Sequence, residues 1–193
     1  MNKNGETEAL DFCRAKKIFE EGFGFLKSLY HKENVFFHFS KIKDEEKRKS
    51  LSALKRGVVS VFFTSELANG RRRVDKVWLN AEEIPKHFLA GFIDRLILEL
   101  NSGQTNPFEI MDALNQLREI NELTEKNYRA IICSSKIKKN PSVLLKLISE
   151  NELPLQNDLS AIIKEWKNEY PLRIEGDEII IHMLLEKQSF PRE

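Results

Sequence analysis

"GFGFLKSLYHKENVFFHFS", residues 22–40, is the stretch that most constrains the fold of this sequence. It holds two short aromatic runs with a polar, turn-like segment between them, which predicts two β-strands. Residues two apart in a strand lie on the same face. Phe23 and Phe25 therefore share one face, and so do Phe36 and His38. Because only one face of each strand can fill a core, both strands carry rings on a second face as well.

The residues around this stretch also favour short strands. Strands are predicted where β-branched and aromatic residues gather between turn signals, at residues 12–19, 22–29, 34–40, 57–65 and 72–79. The charged segment 41–56 fits either a loop or a short helix. Five strands within about 70 residues predict a small antiparallel barrel, which closes on itself and leaves few exposed edges.

From about residue 82 the apolar period becomes helical. Leu89, Ile93, Leu96 and Leu100 recur on one helix face, and a further helical segment is predicted over residues 108–135, with Pro107 in its first turn. Two more helices, at 141–151 and 157–169, and a β-hairpin at 172–183 are predicted beyond these.

The formal net charge of +1 is the sum of two unlike halves. Residues 1–80 hold 17 Lys and Arg against 11 Asp and Glu, a net charge of +6, and nine of the 13 phenylalanines. Residues 81–193 hold 14 Lys and Arg against 19 Asp and Glu, a net charge of −5. A basic, Phe-rich half followed by an acidic half favours two modules with different roles.

Residues 12–79 resemble a cold-shock domain, an oligonucleotide-binding (OB-fold) β-barrel. The resemblance rests on paired motifs, since Gly22–Leu26 and Val35–Ser40 are similar to the two signatures of that family, and Asn69-Gly70 fits its closing hairpin. The predicted protein is then α+β with two domains. Residues 1–80 form a five-stranded antiparallel OB-fold barrel, and residues 81–193 form a mainly α-helical domain with a small β-hairpin.

The resemblance implies binding of single-stranded RNA or DNA. It implies that bases stack on Phe23, Phe25, Phe36, His38 and Phe39, with basic backbone contacts from Lys16, Lys27, Arg71, Arg72 and Arg73. It also implies that Val35 and Phe37 lie inside the barrel, although alternation alone places Phe39 on their face. We expect such binding to weaken as the salt concentration rises.

The first strand and the first turn depart from the family pattern. Glu21 stands where the family has a lysine, which puts a negative charge beside the predicted face. The first strand has Lys16-Lys17-Ile18-Phe19 in place of an aromatic Trp-Phe pair, which predicts the loss of one stacking platform. These departures keep a second hypothesis open, in which the protein is an interaction scaffold whose barrel has lost most of its nucleic-acid affinity.

No catalytic or cofactor motif is present in the sequence. The four histidines and two cysteines show no metal-ligand spacing, and neither a nucleophile elbow, a phosphate-binding loop nor a dinucleotide fingerprint occurs. We therefore expect a non-catalytic protein without a metal or cofactor.

The second half favours a module for assembly. The order of helices and hairpin after residue 141 is that of a winged helix-turn-helix, but the acidic charge of this half argues against DNA binding. A homo-oligomer or a protein partner held through residues 81–193 is the favoured alternative. Since no apolar run approaches the about 20 residues that span a bilayer, and the amino terminus lacks a signal-like segment, we expect a cytoplasmic protein with no membrane partner.

Overall fold

The computed structural model describes residues 8–19, 21–53, 60–139 and 143, and shows an α+β protein with a curled β-sheet and several helices. The strands are β1 (Ala9–Phe19), β2 (Phe23–Leu26), β3 (Val35–His38), β4 (Ser60–Ala68) and β5 (Arg71–Trp78). The helices are α1 (Glu45–Ala53), α2 (Lys86–Ser102), α3 (Pro107–Glu119), α4 (Glu125–Ile132) and α5 (Ser135–Lys139). Each predicted strand overlaps one of these strands, and the charged segment after β3 contains a helix.

The strands follow one another round the sheet in the order β1-β2-β3-β5-β4, and β4 pairs with β1 to close the ring. Four of the pairings are antiparallel, whereas β3 and β5 run parallel, with Phe36 opposite Arg73. The expectation of a wholly antiparallel barrel is wrong at this pair. The connection from β3 to β4 contains α1, and β5, which returns from β4, lies beside β3 in the same direction.

Two tight turns fix the hairpins of the sheet. Between β1 and β2, Gly22 takes a positive φ of 85°, and its N–H donates to the carbonyl of Phe19 at 3.1 Å. Between β4 and β5, Asn69 and Gly70 have φ values of 52° and 72°. Positive φ at both central residues characterises the hairpin turn for which Asn-Gly is the preferred sequence.

The sheet encloses an apolar core. Its buried members are Cys13, Leu26, Val35, Phe37, Phe39, Ile42, Val61, Phe63 and Val74. Val35 and Phe37 lie in this core at 0% and 2% exposure, which confirms their predicted inward orientation. The burial of β2 and β3 alternates residue by residue, so the opposite face of these two strands is the open one.

The first half of α2 covers the outer side of β4 and β5. Phe92 packs edge-on against Phe62 and Trp78, with ring centroids 5.4 and 5.8 Å apart. Gly91 lies so close to β1 that a Cβ at this position would come within 2.6 Å of Leu10 Cδ1. Much of β4 is therefore buried on both of its faces, by the barrel core and by the helix.

The chain divides into two compact units, residues 1–95 and 96–193. The division falls inside α2 and not at residue 80, because the apolar outer face of β4 needs the start of this helix to cover it.

The second unit contains the remainder of α2 and helices α3 to α5. Asn106 caps α3 by accepting from the N–H of Phe108 at 3.0 Å, and Pro107 lies in its first turn, as predicted. The helical segment predicted over residues 108–135 is two helices, because Asn121 takes a positive φ of 59° and Thr124 begins α4 with a capping box.

The buried core of these helices is apolar and contains Leu96, Leu100, Ile110, Met111, Ala113, Leu114, Leu117, Tyr128, Ile131, Ile132 and Ile137. Apart from Val143, the helices predicted at 141–151 and 157–169 and the hairpin at 172–183 lie outside the described residues. Within the described part of the chain, no helix is both long enough and apolar enough to cross a membrane.

Candidate nucleic-acid interface

The open side of β2 and β3 carries four of the predicted site residues. Phe23 lies opposite His38 in the register, and Phe25 lies opposite Phe36. Directly opposed residues of an antiparallel pair project from the same face of the sheet. The three phenylalanines are half-buried and His38 is exposed, and none of the four belongs to the barrel core. The structure therefore brings these residues together on one accessible surface.

A fifth ring, that of Phe19 on β1, joins this surface. Phe19 lies opposite Phe23, and the two rings stack with centroids 4.6 Å apart and planes 19° apart. Phe19 also contacts Phe25 edge-on at 6.4 Å. We call Phe19, Phe23, Phe25, Phe36 and His38 the aromatic face. The first strand thus supplies a ring to this surface despite lacking the Trp-Phe pair.

The rings of the aromatic face contact one another in a continuous patch. Phe23 lies 6.1 Å from Phe36 with the planes 29° apart, and Phe25 meets Phe36 edge-on at 5.8 Å. Ring centroids 4.5–7 Å apart are the usual range for favourable aromatic pairs. Each ring is thus held by its neighbours and remains partly exposed.

Phe39 does not belong to this face, contrary to the role that the resemblance implied. It is 6% exposed, and its ring lies 5.4 Å from that of Phe37 inside the barrel. The strand ends at His38 and a 3₁₀ turn begins at Phe39, whose N–H donates to the carbonyl of Gly22 at 2.8 Å. This turn sends the side chain inward, where a base cannot reach it.

His38 is positioned by Ser40. Its Nδ1 accepts from the Ser40 N–H at 3.1 Å and lies 2.8 Å from the Ser40 hydroxyl oxygen. These contacts leave the rest of the exposed imidazole turned to solvent at the edge of the aromatic face. The histidine therefore has a preset orientation in which its ring can stack or donate a hydrogen bond.

The predicted basic residues lie at different places around the barrel. Lys27 directly follows β2 and is exposed, as are Arg71 and Arg73 on β5. Arg73 lies opposite Phe36, which brings one cation to the border of the aromatic face. Glu66 on β4 lies opposite Arg73 on its other side and offsets part of this charge.

Arg72 and Lys16 differ from those three residues. Arg72 is half-buried, and its Nη1 donates to the hydroxyl of Ser65 at 3.2 Å, so it does not share the exposed surface of its two neighbours. Lys16 lies on β1 where the register with β2 shifts between Ala15 and Lys17, and its side chain is outside what the structure describes.

Phe19 is the residue of the aromatic face that the sequence did not assign to it. The signal that could have found it is the short spacing between Phe19 and Phe23 around Gly22, since a tight turn at Gly22 places these two residues opposite each other. Among the described residues no three His, Cys, Asp or Glu side chains come together in a way that could hold a metal ion.

No model of a known protein family matches the chain, and no curated protein is similar to it. The fold and the geometry of the aromatic face are therefore the basis for assigning a function.

Proposed function

We propose that this protein binds single-stranded RNA or DNA, without catalysis, through the aromatic face of an OB-fold barrel that resembles a cold-shock domain. The observation that carries the proposal is the patch of four contacting phenylalanine rings outside the barrel core, on three adjacent strands. Contiguous exposed aromatic surface on a protein usually marks a binding site.

The partly exposed rings of this surface are better suited to stacking on bases than to burial in the core of the protein. Every nucleic-acid base has a flat π-face, and each base–aromatic stack is worth about 1–3 kcal/mol. The rings of Phe23, Phe25 and Phe36 are half-buried by their neighbours, so a base that covers them buries the remaining apolar surface. In a duplex the face of each base is covered by its neighbouring base pairs, which favours single strands.

The strand order supports the OB-fold assignment. The ring β1-β2-β3-β5-β4, with the parallel pairing of β3 and β5, is the arrangement of a five-stranded Greek-key barrel. In that fold the face formed by strands 2 and 3 binds oligonucleotides. The aromatic face lies on the same two strands, with Phe19 added from β1.

Exposed cations border the face and would neutralise the backbone. Lys27 lies at the end of β2, and Arg71 and Arg73 lie on β5 beside β3. Each phosphate neutralised on a single strand contributes about −0.7 to the slope of log K against log salt. With three such contacts the slope is expected to be about −2.

An interaction scaffold is the second candidate function. The observation that favours it is the exposed Glu21 at the turn between β1 and β2, together with the pairing of Arg73 and Glu66 across strands. Both place negative charge near the aromatic face, where it opposes a polyanion. On this hypothesis the rings would cover an apolar protein segment instead of bases.

The helical unit is assigned to assembly or to a protein partner. Among the described residues of this unit, the large apolar side chains of Leu98 and Phe108 are 55% and 40% exposed. These residues lie on α2 and α3, outside the core of the helices.

The test is fluorescence anisotropy of the intact protein with labelled pyrimidine-rich single-stranded RNA, single-stranded DNA and duplex, at two salt concentrations. We expect micromolar or tighter binding to the single strands and weak binding to the duplex. The double variant Phe25→Ala/Phe36→Ala is expected to abolish binding with its circular dichroism spectrum retained. Phe108→Ala, at an exposed ring of the helical unit, is the matched control and is expected to bind normally.

Two outcomes would reject the proposal. Absence of binding to any single strand at low salt would favour the scaffold. Unfolding of the Phe25→Ala/Phe36→Ala variant would show that these rings act as core residues, in which case their exposure has no functional meaning.

A further inference from the structure

His38 is the polar member of the aromatic face and the residue at which β3 ends. It is exposed, whereas its two neighbours along the chain, Phe37 and Phe39, are buried in the barrel core. The N–H of Phe39 also donates to the carbonyl of Gly22 at 2.8 Å. The backbone is therefore anchored on both sides of His38, and its side chain leaves the sheet from a defined position.

The turn after β3 fixes the imidazole ring as well. His38 caps the 3₁₀ turn, and its Nδ1 accepts from the backbone N–H of Ser40 at 3.1 Å. The hydroxyl oxygen of Ser40 lies 2.8 Å from the same nitrogen. Both polar groups of Ser40 thus meet Nδ1 and leave Nε2 to other partners.

These contacts decide which ring nitrogen carries the hydrogen. A backbone N–H can only donate, so Nδ1 must be without a hydrogen in order to accept from it. In the neutral imidazole the hydrogen is then on Nε2. Within the described part of the chain, Nε2 of His38 has no hydrogen-bond partner, and the side chain is exposed. His38 therefore presents one N–H donor and no free acceptor.

This donor lies beside a stacking ring. Phe23 is directly opposite His38 in the register of β2 and β3. The Cβ atoms of such a pair are about 4.5–5.5 Å apart, and both side chains project from the same face of the sheet. The ring of Phe23 stacks on that of Phe19 and is partly exposed. A base that stacks on Phe23 consequently has one of its edges next to His38.

The charges near His38 favour a base edge over a phosphate as the acceptor. Glu21, which is exposed, lies two residues before Phe23 and would repel a phosphate at this end of the aromatic face. Lys41, the cation nearest to His38 along the chain, is already paired with Asp75 at 3.3 Å. An uncharged acceptor is therefore a better partner for the Nε2–H than an anion is.

The edge of a base presents either a carbonyl oxygen or an amino group. Thymine and guanine carry a carbonyl oxygen where cytosine and adenine carry an amino group, and uracil has the same carbonyl as thymine. The Nε2–H of His38 can donate to the carbonyl oxygen. An amino group is itself a donor and finds no acceptor on this ring, because Nδ1 is occupied by Ser40.

We propose that the Nε2–H of His38 donates a hydrogen bond to a carbonyl oxygen of the base that stacks on Phe23. This position of the strand then prefers a keto base, which is thymine, uracil or guanine, over cytosine or adenine. The inference rests on the proposed function, because it requires a single strand on the aromatic face. It makes His38 a residue that determines base specificity, which a stacking ring alone does not do.

The first measurement needs no ligand. Long-range hydrogen–nitrogen correlation spectra of the full-length protein at alkaline pH show which nitrogen of each imidazole carries the hydrogen, and the His38→Phe variant assigns the signals. We expect His38 to have its hydrogen on Nε2 alone. A substantial population with the hydrogen on Nδ1 would overturn the proposal.

The second measurement separates the hydrogen bond from stacking. Fluorescence anisotropy compares oligothymidylate with an oligomer of equal length in which difluorotoluene, which has the shape of thymine but accepts hydrogen bonds only weakly, replaces every base. We expect this replacement to reduce the affinity of the wild type by a factor about three- to tenfold larger than that for His38→Phe, the value of one hydrogen bond. Equal factors in the two proteins would overturn the proposal.

Oligodeoxycytidylate tests the preference for a keto base. The preference of the wild type for oligothymidylate over oligodeoxycytidylate is expected to fall by a similar factor in His38→Phe. It is expected to stay unchanged in His87→Phe, which removes an exposed imidazole from α2. An unchanged preference in His38→Phe would overturn the keto specificity, even where the difluorotoluene comparison upholds the hydrogen bond.

The wild-type spectra decide if His38→Phe does not fold. The Nε2 signals of His38 are then expected to shift on binding oligothymidylate and to shift less with the difluorotoluene oligomer, and equal shifts would overturn the proposal. Failure of this inference is distinct from failure of the proposed function. If single strands bind without any coupling to His38, only the inference is rejected. If no single strand binds at low salt, the proposed function is rejected and the inference with it.

Discussion

The ring of Phe19 stacks on the ring of Phe23 across β1 and β2, with the centroids 4.6 Å apart. The turn between the two strands makes this contact, because the Gly22 N–H donates to the Phe19 carbonyl and directs the chain back along β1. The aromatic face therefore spans three strands. A single strand lying across it would meet rings on β1, β2 and β3 in succession.

The first prediction concerns Phe19→Ala. We expect the free energy of binding to a single strand to weaken by about 1–3 kcal/mol, the value of one base–aromatic stack. The fold is expected to be retained because the ring is half-buried. Fluorescence anisotropy measures the affinity and thermal unfolding checks the fold. Phe19→Trp keeps a stacking surface and is expected to bind at least as well as the wild type. Unchanged affinity in Phe19→Ala would show that bases do not reach β1.

The second prediction concerns Phe39→Ala. Because Phe39 is buried against Phe37, its truncation is expected to lower the free energy of unfolding by about 3–5 kcal/mol, as for other buried phenylalanines. Urea unfolding measures this change. The half-buried Phe36→Ala is the comparison and is expected to lose less stability but more affinity. A Phe39→Ala protein of normal stability that no longer bound single strands would contradict the buried position.

Alternation along the strands predicted much of the barrel, because water must be excluded from one face only. Val35 and Phe37 face inward and Phe36 faces outward for this reason. The same alternation places Phe39 inward, and its side chain is buried although the strand has ended and a 3₁₀ turn has begun. At this residue strict alternation gave the correct face, and the family resemblance gave the wrong one.

Long-range pairing was beyond what the sequence could show. The parallel neighbours β3 and β5 have α1 and β4 between them along the chain, and no local sequence pattern indicates such a contact. Similarly, the sequence of β4 shows a continuous apolar run but not what covers its outer face. That Phe92 of α2 covers Phe62 depends on the tertiary fold, and this contact moves the boundary between the compact units beyond residue 80.

The third prediction concerns Phe92→Ala. Phe92 is 1% exposed and contacts Phe62 and Trp78, so we expect a loss of about 3–5 kcal/mol in the free energy of unfolding of the barrel. Tryptophan fluorescence in urea follows the transition. Leu98→Ala, at a 55% exposed position of the same helix, is expected to change stability by no more than about 0.5 kcal/mol. Equal stability of the two variants would mean that α2 does not support the barrel.

The fourth prediction concerns the pH dependence of stability and the buried Asp11. Burial raises its pKa from 3.8 to about 7, so the folded state holds a proton that the unfolded state has released. The resulting stabilisation is fully present below about pH 4 and is lost as the pH rises through about 7. At 1.36 kcal/mol per unit, the change across this window is on the order of 4 kcal/mol.

The Asp11→Asn variant has no ionisable group at this position, so its stability lacks the pH dependence that comes from Asp11. We expect the free energy of unfolding of the wild type to fall relative to that of Asp11→Asn between pH 4 and pH 8, because every other titrating group is common to both proteins. Replacing the carboxyl by an amide also changes the hydrogen bonds at this position. This changes the free energy of unfolding by an amount that does not vary with pH. Urea unfolding at six pH values measures the difference, and Asp94→Asn, at an exposed position on α2, controls for the loss of one charge. A constant difference between wild type and Asp11→Asn over this range would mean that Asp11 is ionised in the folded protein, with the hydrogen bonds from Ser28 and Leu29 outweighing the cost of its burial.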